Sequence, residues 1–243
     1  MKIAIRTSTD STELTRGQAM IAILSRHGLA PEQVSFNPDR FKEEYDGEAA
    51  LEKWWAAMAT VRSRGRTYES PMSFAWRRKK VVKSSGYVTH RVLNDAGELV
   101  PADVGVTAQW DSRVDWRSVF RELINIFPPQ IAMLHLFTSS ELGRRGPWSS
   151  FEIGSFGAAL DPQPPNLAWS MFFGEKFSKE GNRDQIRDAG FKVDELLDGY
   201  LIELTGELGD VGKDFENFST RRAMLKSLYR PGMFRIDEEP SGG

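Results

Sequence analysis

Apolar and polar positions recur with two different periods along the chain, and together they predict a mixture of strands and helices. Residues 2–6, KIAIR, alternate as a half-buried strand does. Apolar residues then recur every three or four positions in three places, residues 14–24, 50–61 and 116–127, which indicates amphipathic helices. We expect Gly28 to end the first helix and Gly65 the second, and Pro128 with Pro129 to close the third.

The region between the second and third helical patterns has a different residue composition. Residues 68–110 are rich in Val, Thr and aromatic side chains and are interrupted by turn-forming stretches, which predicts two or three antiparallel strands. Residues 131–138 read as a buried strand, and the sequence Leu197-Asp198-Gly199 predicts a tight hairpin turn. We expect a final helical region broken near Ser219 and a last strand at residues 233–236.

These patterns predict an α+β fold in which one or more antiparallel sheets pack with several amphipathic helices. No repeat, low-complexity tract or linker divides the chain. We therefore expect a single α+β domain over residues 1–239, with residues 240–243 forming a disordered tail.

An aromatic stretch, NLAWSMFFGEKF at residues 166–177, follows the break DPQPP. We predict a helix from about residue 165 to 173, with Trp169, Phe172 and Phe173 on one face. Aromatic faces of this kind bury a large area, and few polar groups lie among these rings to orient a ligand. The stretch is therefore predicted to be core rather than a ligand pocket.

Composition narrows the class of protein. The 243 residues contain no Cys, which excludes disulfides and Cys-ligated zinc, and the formal net charge of −2 provides no global attraction to nucleic acid or membrane. The sequence contains no apolar run of membrane-spanning length, and its first residues lack a signal-peptide core. We expect a cytoplasmic protein that does not contact a membrane.

Charge is segregated between two neighbouring stretches. Residues 39–52 carry a net charge of −4, whereas residues 62–83 carry +7. Such surfaces suit an oppositely charged protein partner, and they alternatively form solvated strand edges whose lysines discourage aggregation. A second acidic candidate is residues 237–239. The residues that we expect to bind a partner are Asp39, Glu43, Glu44, Asp46, Glu48, Arg77, Arg78, Lys79 and Lys80.

The sequence offers little catalytic chemistry. Of the three histidines, we expect His27 to end a helix, His90 to lie on an exposed sheet face and His135 to lie in a core strand. No phosphate-binding loop, dinucleotide-binding motif or nucleophile elbow is present. We therefore expect no catalytic, cofactor-binding or metal-binding residues and a protein that is not an enzyme.

Two alternatives remain open. A divalent-metal nuclease would use Asp194, Asp198 and Glu203, although Thr205 occupies the position where such folds normally place a Lys. A nucleic-acid-binding accessory protein would use residues 77–83, although the slightly acidic chain makes nucleic acid an unfavoured partner.

Four strings between residues 116 and 234 resemble bacterial immunity proteins of polymorphic toxin systems, in particular the immunity protein 52 family. They are WRSVFRELINIFPPQIAMLHLF, PPNLAWSMFFGEKF, DGYLIELTGELGDV and FENFSTRRAMLKSLYRPGMF. The resemblance implies a protein that neutralises a cognate toxin by binding it, without catalysis or cofactor. It implies no particular interface residues, and the oligomeric state stays open.

Overall fold

The computed structural model describes residues 1–63, 65–94, 96–139 and 164–236, with the side chains of Ser63, Arg66 and Lys176 left undescribed. Within these ranges the chain forms six α-helices and fourteen strands, which confirms the α+β prediction. The helices are α1 (Leu14–Arg26), α2 (Glu48–Trp54), α3 (Trp116–Ile126), α4 (Arg183–Asp188), α5 (Asp210–Lys213) and α6 (Phe215–Lys226). The predicted tail at residues 240–243 and the acidic residues 237–239 lie outside the described residues.

Most strands belong to antiparallel sheets. They are β1 (Lys2–Thr7), β2 (Gln33–Ser35), β3 (Glu43–Glu44), β4 (Met58–Ser63), β5 (Arg66–Pro71), β6 (Phe74–Arg78), β7 (Ser84–Thr89), β8 (Val92–Leu93), β9 (Leu99–Val100), β10 (Ala102–Ala108), β11 (Ile131–His135), β12 (Ser170–Phe173), β13 (Lys192–Leu196) and β14 (Gly199–Glu203). The chain divides into two compact units, and β1 contributes residues to both. The single domain expected from sequence stays a prediction.

The N-terminal unit, Ile5–Pro128, contains an antiparallel run of strands in the order β10-β7-β6-β2-β3. Of the two or three strands predicted between residues 68 and 110, three are present as β6, β7 and β10, and two separate two-stranded ribbons, β4–β5 and β8–β9, accompany them. Asp115 caps the start of helix α3, as its sequence predicts, because its carboxylate accepts a hydrogen bond from the Ser118 amide.

The second predicted helix of this unit is half wrong. Helix α2 ends at Trp54, and the chain turns into β4 at Met58 instead of continuing to Gly65. Trp55 adopts extended backbone angles and Ala56 has a φ of +50°, so the helical hydrogen-bond ladder stops there. The β-branched residues that follow, Thr60 and Val61, pair with β5.

The C-terminal unit comprises Met1–Ala4 and the chain from Pro129 onward. Its antiparallel strands follow the order β13-β14-β12-β11, and every residue of β11, β12 and β14 is buried. The hairpin predicted at Leu197-Asp198-Gly199 is confirmed, with Leu197 at a φ of +53°.

The aromatic stretch belongs to this core, but as a strand. Residues Ser170–Phe173 form β12 between β11 and β14, and a 3-10 helix follows at Glu175–Lys179, so the predicted helix is wrong. Trp169, Phe172 and Phe173 are fully buried, which confirms the core assignment. A strand buried on both faces is a continuous apolar run, and such a run has no period that separates it from a buried helix.

Two smaller predictions at the C-terminal end are also wrong. The helical region breaks at Asp214, which caps α6 by accepting from the Asn217 amide, whereas Ser219 is buried inside α6. Residues 233–236 do not form a strand. Their last two amides instead bond the carbonyls of Pro164 and Pro165.

Candidate partner-binding surface

The acidic stretch forms the outer edge of the β10-β7-β6-β2-β3 sheet. Glu43 and Glu44 make up β3, the last strand on that side, and they pair with Val34 and Gln33 of β2. Both glutamates are exposed. Charged side chains on a short edge strand prevent unspecific pairing with other chains, and they also present fixed charge to a specific partner.

The two edge carboxylates are held by hydrogen bonds. Both oxygens of Glu43 lie 2.7 Å from Lys53 Nζ, and the indole of Trp54 donates to Oε2 at 3.1 Å. The hydrogen bond from Lys53 holds the pKa of Glu43 below its usual value. Glu44 accepts from the side-chain amide of Gln33 at 2.8 Å. These hydrogen bonds give each carboxylate a defined orientation.

The remaining acidic candidates flank this edge. Asp39, Asp46 and Glu48 are exposed, and Glu48 lies in the first turn of α2, where it accepts from Gln18 Nε2 at 2.7 Å. Burial raises the pKa of the Tyr45 hydroxyl, and the negative charges of Asp46 and Glu48 raise it further. These side chains thus extend the negative surface from β3 to the start of α2.

The basic candidates lie on and directly after β6, which is two strands further in than β3. Arg77 of β6 donates to Gln33 Oε1 at 2.6 Å and stacks over the Phe41 ring at 4.5 Å. Gln33 therefore bridges Arg77 and Glu44, which joins the basic and acidic stretches that the sequence analysis found separately. Gln33 was missed from sequence, because a single glutamine in a short extended segment has no signature of its own.

Arg78 differs from Lys79 and Lys80 in its contacts with acceptor groups of the protein. Arg78 donates to the Ala30 carbonyl at 3.1 Å and lies 3.6 Å from a Glu32 carboxylate oxygen. Lys79 and Lys80 are exposed after the end of β6. A nucleic-acid surface needs cations free to contact phosphates. Of the four basic candidates, Lys79 and Lys80 come closest to that condition.

The three carboxylates of the nuclease alternative do not all converge. Asp194 and Glu203 approach the ammonium of Lys192, at 3.4 Å and 3.6 Å, whereas Asp198 lies exposed in the turn at the far end of the hairpin. Lys192 lies on the strand next to Glu203, not two positions after it in sequence. No group of three or more potential metal-ligating side chains occurs in the part of the chain that the structure describes.

The histidines lie in three different environments. His90, expected on an exposed face, is instead buried, with its Nδ1 3.1 Å from Ser11 Oγ and its ring packed edge-on against Trp55. His135 lies in the core as predicted and accepts from the Trp169 amide at 3.1 Å. His27 ends α1 as predicted and contacts Glu122.

No model of a known protein family matches the chain, and no curated protein matches it either. Among the described helices, none combines the length and the hydropathy needed to cross a membrane.

Proposed function

We propose that this protein is an immunity protein that binds a cognate bacterial toxin and neutralises it by stoichiometric inhibition. The observation that carries the proposal is the exposed edge strand β3, whose two glutamates are fixed by Lys53, Trp54 and Gln33. The resemblance of the C-terminal half to immunity proteins supplies the class of partner. Both points support a protein that acts by holding another protein.

The acidic edge suits a toxin with a basic active-site cleft. Toxins that act on nucleic acids or nucleotides need cationic clefts to hold phosphates, and an array of fixed carboxylates complements such a cleft. Opposite charges also accelerate encounter, which matters when the toxin must be captured quickly. The proposal places the inhibitor in the cytoplasm, together with a toxin that acts there.

Fixed carboxylates favour tight binding. Association costs free energy for every side chain that must be ordered at the interface, and residues that are already hydrogen-bonded lose less freedom. Tight interfaces also need apolar anchors within a charged rim. The half-buried Phe41 lies under Arg77, and the half-buried Phe36 packs on Trp54 with ring centroids 4.3 Å apart. These rings provide apolar area beside the acidic edge.

The function is tested by co-expressing the chain with the product of a neighbouring gene, which we expect to be the toxin. We expect restored growth of the host cells, and a purified complex with one copy of each protein. Inhibition should saturate at one equivalent of the inhibitor. Growth arrest despite co-expression, or protection at far below one equivalent, would exclude stoichiometric inhibition.

A further inference from the structure

Three strands of the N-terminal unit end at the same edge of its sheet. The register pairs Arg78, the last residue of β6, with Ser84, the first of β7, and it pairs Ser84 with Ala108, the last of β10. Residues 79–83 therefore form one closed hairpin loop, and the chain that leaves β10 runs beside it. The hydrogen bond from the Gln109 amide to the carbonyl at position 83 joins the two segments at 2.8 Å.

The hairpin loop carries a concentrated positive charge. Its charged side chains are all cations and all exposed: Lys79, Lys80 and Lys83. Within the ranges that the structure describes, no carboxylate forms an ion pair with any of them. Each ammonium group can therefore contact an anion from solution, although the chain as a whole is slightly acidic.

The carboxylates next to this loop are already paired with arginines. Glu32 accepts from the Lys79 amide at 3.0 Å, and its other oxygen lies 3.6 Å from Arg78. Asp111, which follows β10, lies 2.6 Å from Arg113. Because each of these pairs is neutral, the loop keeps the positive charge of its three lysines.

Exposed apolar side chains lie beside the lysines. Trp110 follows Gln109 directly and is 36% exposed. Trp76, the aromatic residue nearest to the lysines in sequence, is fully buried and unable to contact a ligand. Within the loop, Val81 is 78% exposed and has a φ of +56°, which is rare for a β-branched residue. The fold thus brings an indole from another strand to the basic loop.

Cations beside an exposed aromatic ring suit single-stranded nucleic acid. Lysines contact the phosphates, and the ring stacks on an unpaired base. A protein partner fits less well because lysine is depleted in protein interfaces, and a membrane fits less well because two apolar side chains bury little area in lipid. We propose that residues 79–83 and Trp110 together bind single-stranded nucleic acid. This inference does not depend on the toxin complex, because it uses neither Glu43 nor Glu44.

The proposal is tested with a fluorescein-labelled oligothymidylate of about 12 nucleotides. We expect saturable binding, measured by fluorescence anisotropy at about 50 mM salt. The affinity should fall as salt is added, with a slope of about −2 in a plot of log affinity against log salt, because each of three phosphate contacts contributes about 0.7. An unlabelled single strand should displace the probe at a lower concentration than an unlabelled duplex does, because only unpaired bases can stack.

A double variant tests the lysines. Lys80→Gln/Lys83→Gln removes two of the three phosphate contacts, and we expect the salt slope to become shallower by about 1.4. The matched control is Lys179→Gln/Lys213→Gln, which makes the same change in net charge at exposed positions of the C-terminal unit. The control should keep the slope of the wild-type protein.

A second substitution separates stacking from charge. We expect Trp110→Ala to weaken binding at least about fivefold at each salt concentration and to leave the slope unchanged, because it removes a ring and no cation. Trp110→Phe keeps an aromatic ring and should weaken binding less. Tyr68→Ala removes a different exposed aromatic side chain of the same unit and should leave the affinity unchanged.

Four results would overturn the proposal. The first is no saturable binding of oligothymidylate, and the second is an equal salt slope for the wild-type protein and Lys80→Gln/Lys83→Gln. The third is an affinity that Trp110→Ala does not change. The fourth is binding to phosphatidylglycerol vesicles that Trp110→Ala abolishes while the oligonucleotide does not compete, because the ligand of this loop would then be an anionic membrane.

Discussion

Lys192 and Glu203 stand directly opposite each other in the register of β13 and β14, and Lys192 Nζ lies 3.6 Å from Glu203 Oε2. The Glu203 side chain is almost fully buried, whereas that of Lys192 is 56% exposed. A carboxylate removed from water needs hydrogen-bonding partners or a nearby cation, and Lys192 supplies the cation from the sheet surface. The pair thus places a cation beside a carboxylate that lies in a buried strand.

We expect Lys192→Met to lower the free energy of unfolding by about 1–2 kcal/mol. The change removes a cation beside a buried carboxylate. We expect a smaller effect than for a fully buried ion pair, because about half of the lysine side chain is exposed to water. Urea unfolding measures it. Lys179→Met, an exposed lysine of the same unit, is the control and should cost less than about 0.5 kcal/mol. Equal effects of the two changes, or stabilisation of the wild-type protein by Mg²⁺ or Mn²⁺, would favour the nuclease alternative.

The burial of His90 should make the stability of the folded protein depend on pH. Burial lowers its pKa to about 4 against the ordinary 6.5, and the Ser11 hydrogen bond and the nearby Asp10 only partly oppose this shift. The unfolded chain therefore binds a proton between pH 6.5 and 4 that the folded chain does not. Stability from this group is fully present above about pH 6.5 and is lost as the pH falls towards 4.

Protonation of His90 should lower the free energy of unfolding by an amount on the order of 3 kcal/mol between pH 6.5 and 4. We expect wild-type protein to lose that much more stability between pH 7 and 4 than His90→Gln, because the glutamine does not titrate. Urea unfolding at several pH values provides the comparison, and subtracting the two curves cancels the other titrating groups. Parallel curves would mean that His90 is protonated as easily in the folded protein as in the unfolded chain.

The close approach of β6, β7 and β10 depends on a glycine. A Cβ atom at Gly86 would lie 2.2 Å from the Trp76 ring and 2.4 Å from the Gly105 carbonyl oxygen. Both distances are far inside van der Waals contact, and Trp76 is fully buried, so neither neighbour has free space.

We therefore expect Gly86→Ala to lower the free energy of unfolding by about 2–3 kcal/mol, by overpacking. Gly206→Ala is the control, since a Cβ there meets no atom within 4 Å. Thermal unfolding of the two variants should differ clearly. Comparable melting temperatures would show that the sheet can separate around Trp76 at little cost.

Local sequence patterns predicted an element and its bounds correctly where the spacing of apolar residues agreed with the residues that start and end the element. Helix α3 combines an apolar stripe with a capping Asp115 and two closing prolines, and its bounds follow from these residues. Local patterns failed for β12, because a strand buried on both faces is apolar throughout and shows no alternation of apolar and polar residues. They failed again at Ala56, whose positive φ is a tertiary requirement that alanine itself does not indicate.

The same limit applies to the candidate surface. Charge counting located Glu43, Glu44 and Arg77 as members of two charged stretches. It could not place them on neighbouring strands, because strand order depends on pairing between residues far apart in sequence. Gln33, which links Arg77 to Glu44, became apparent only from the β6-β2-β3 register.

The acidic edge is tested most directly by charge reversal in the purified toxin complex. We expect the double variant Glu43→Lys/Glu44→Lys to weaken the affinity at least about a hundredfold, on the order of 3 kcal/mol. The reason is that the proposal has both carboxylates facing basic groups of the toxin, and the two lysines would be repelled by those groups. The control is Asp188→Lys/Glu216→Lys, which makes the same change in net charge at exposed positions of the C-terminal unit. Isothermal titration calorimetry of the three proteins gives the answer. A hundredfold loss confined to the β3 variant agrees with the account, and an unchanged affinity of that variant contradicts it.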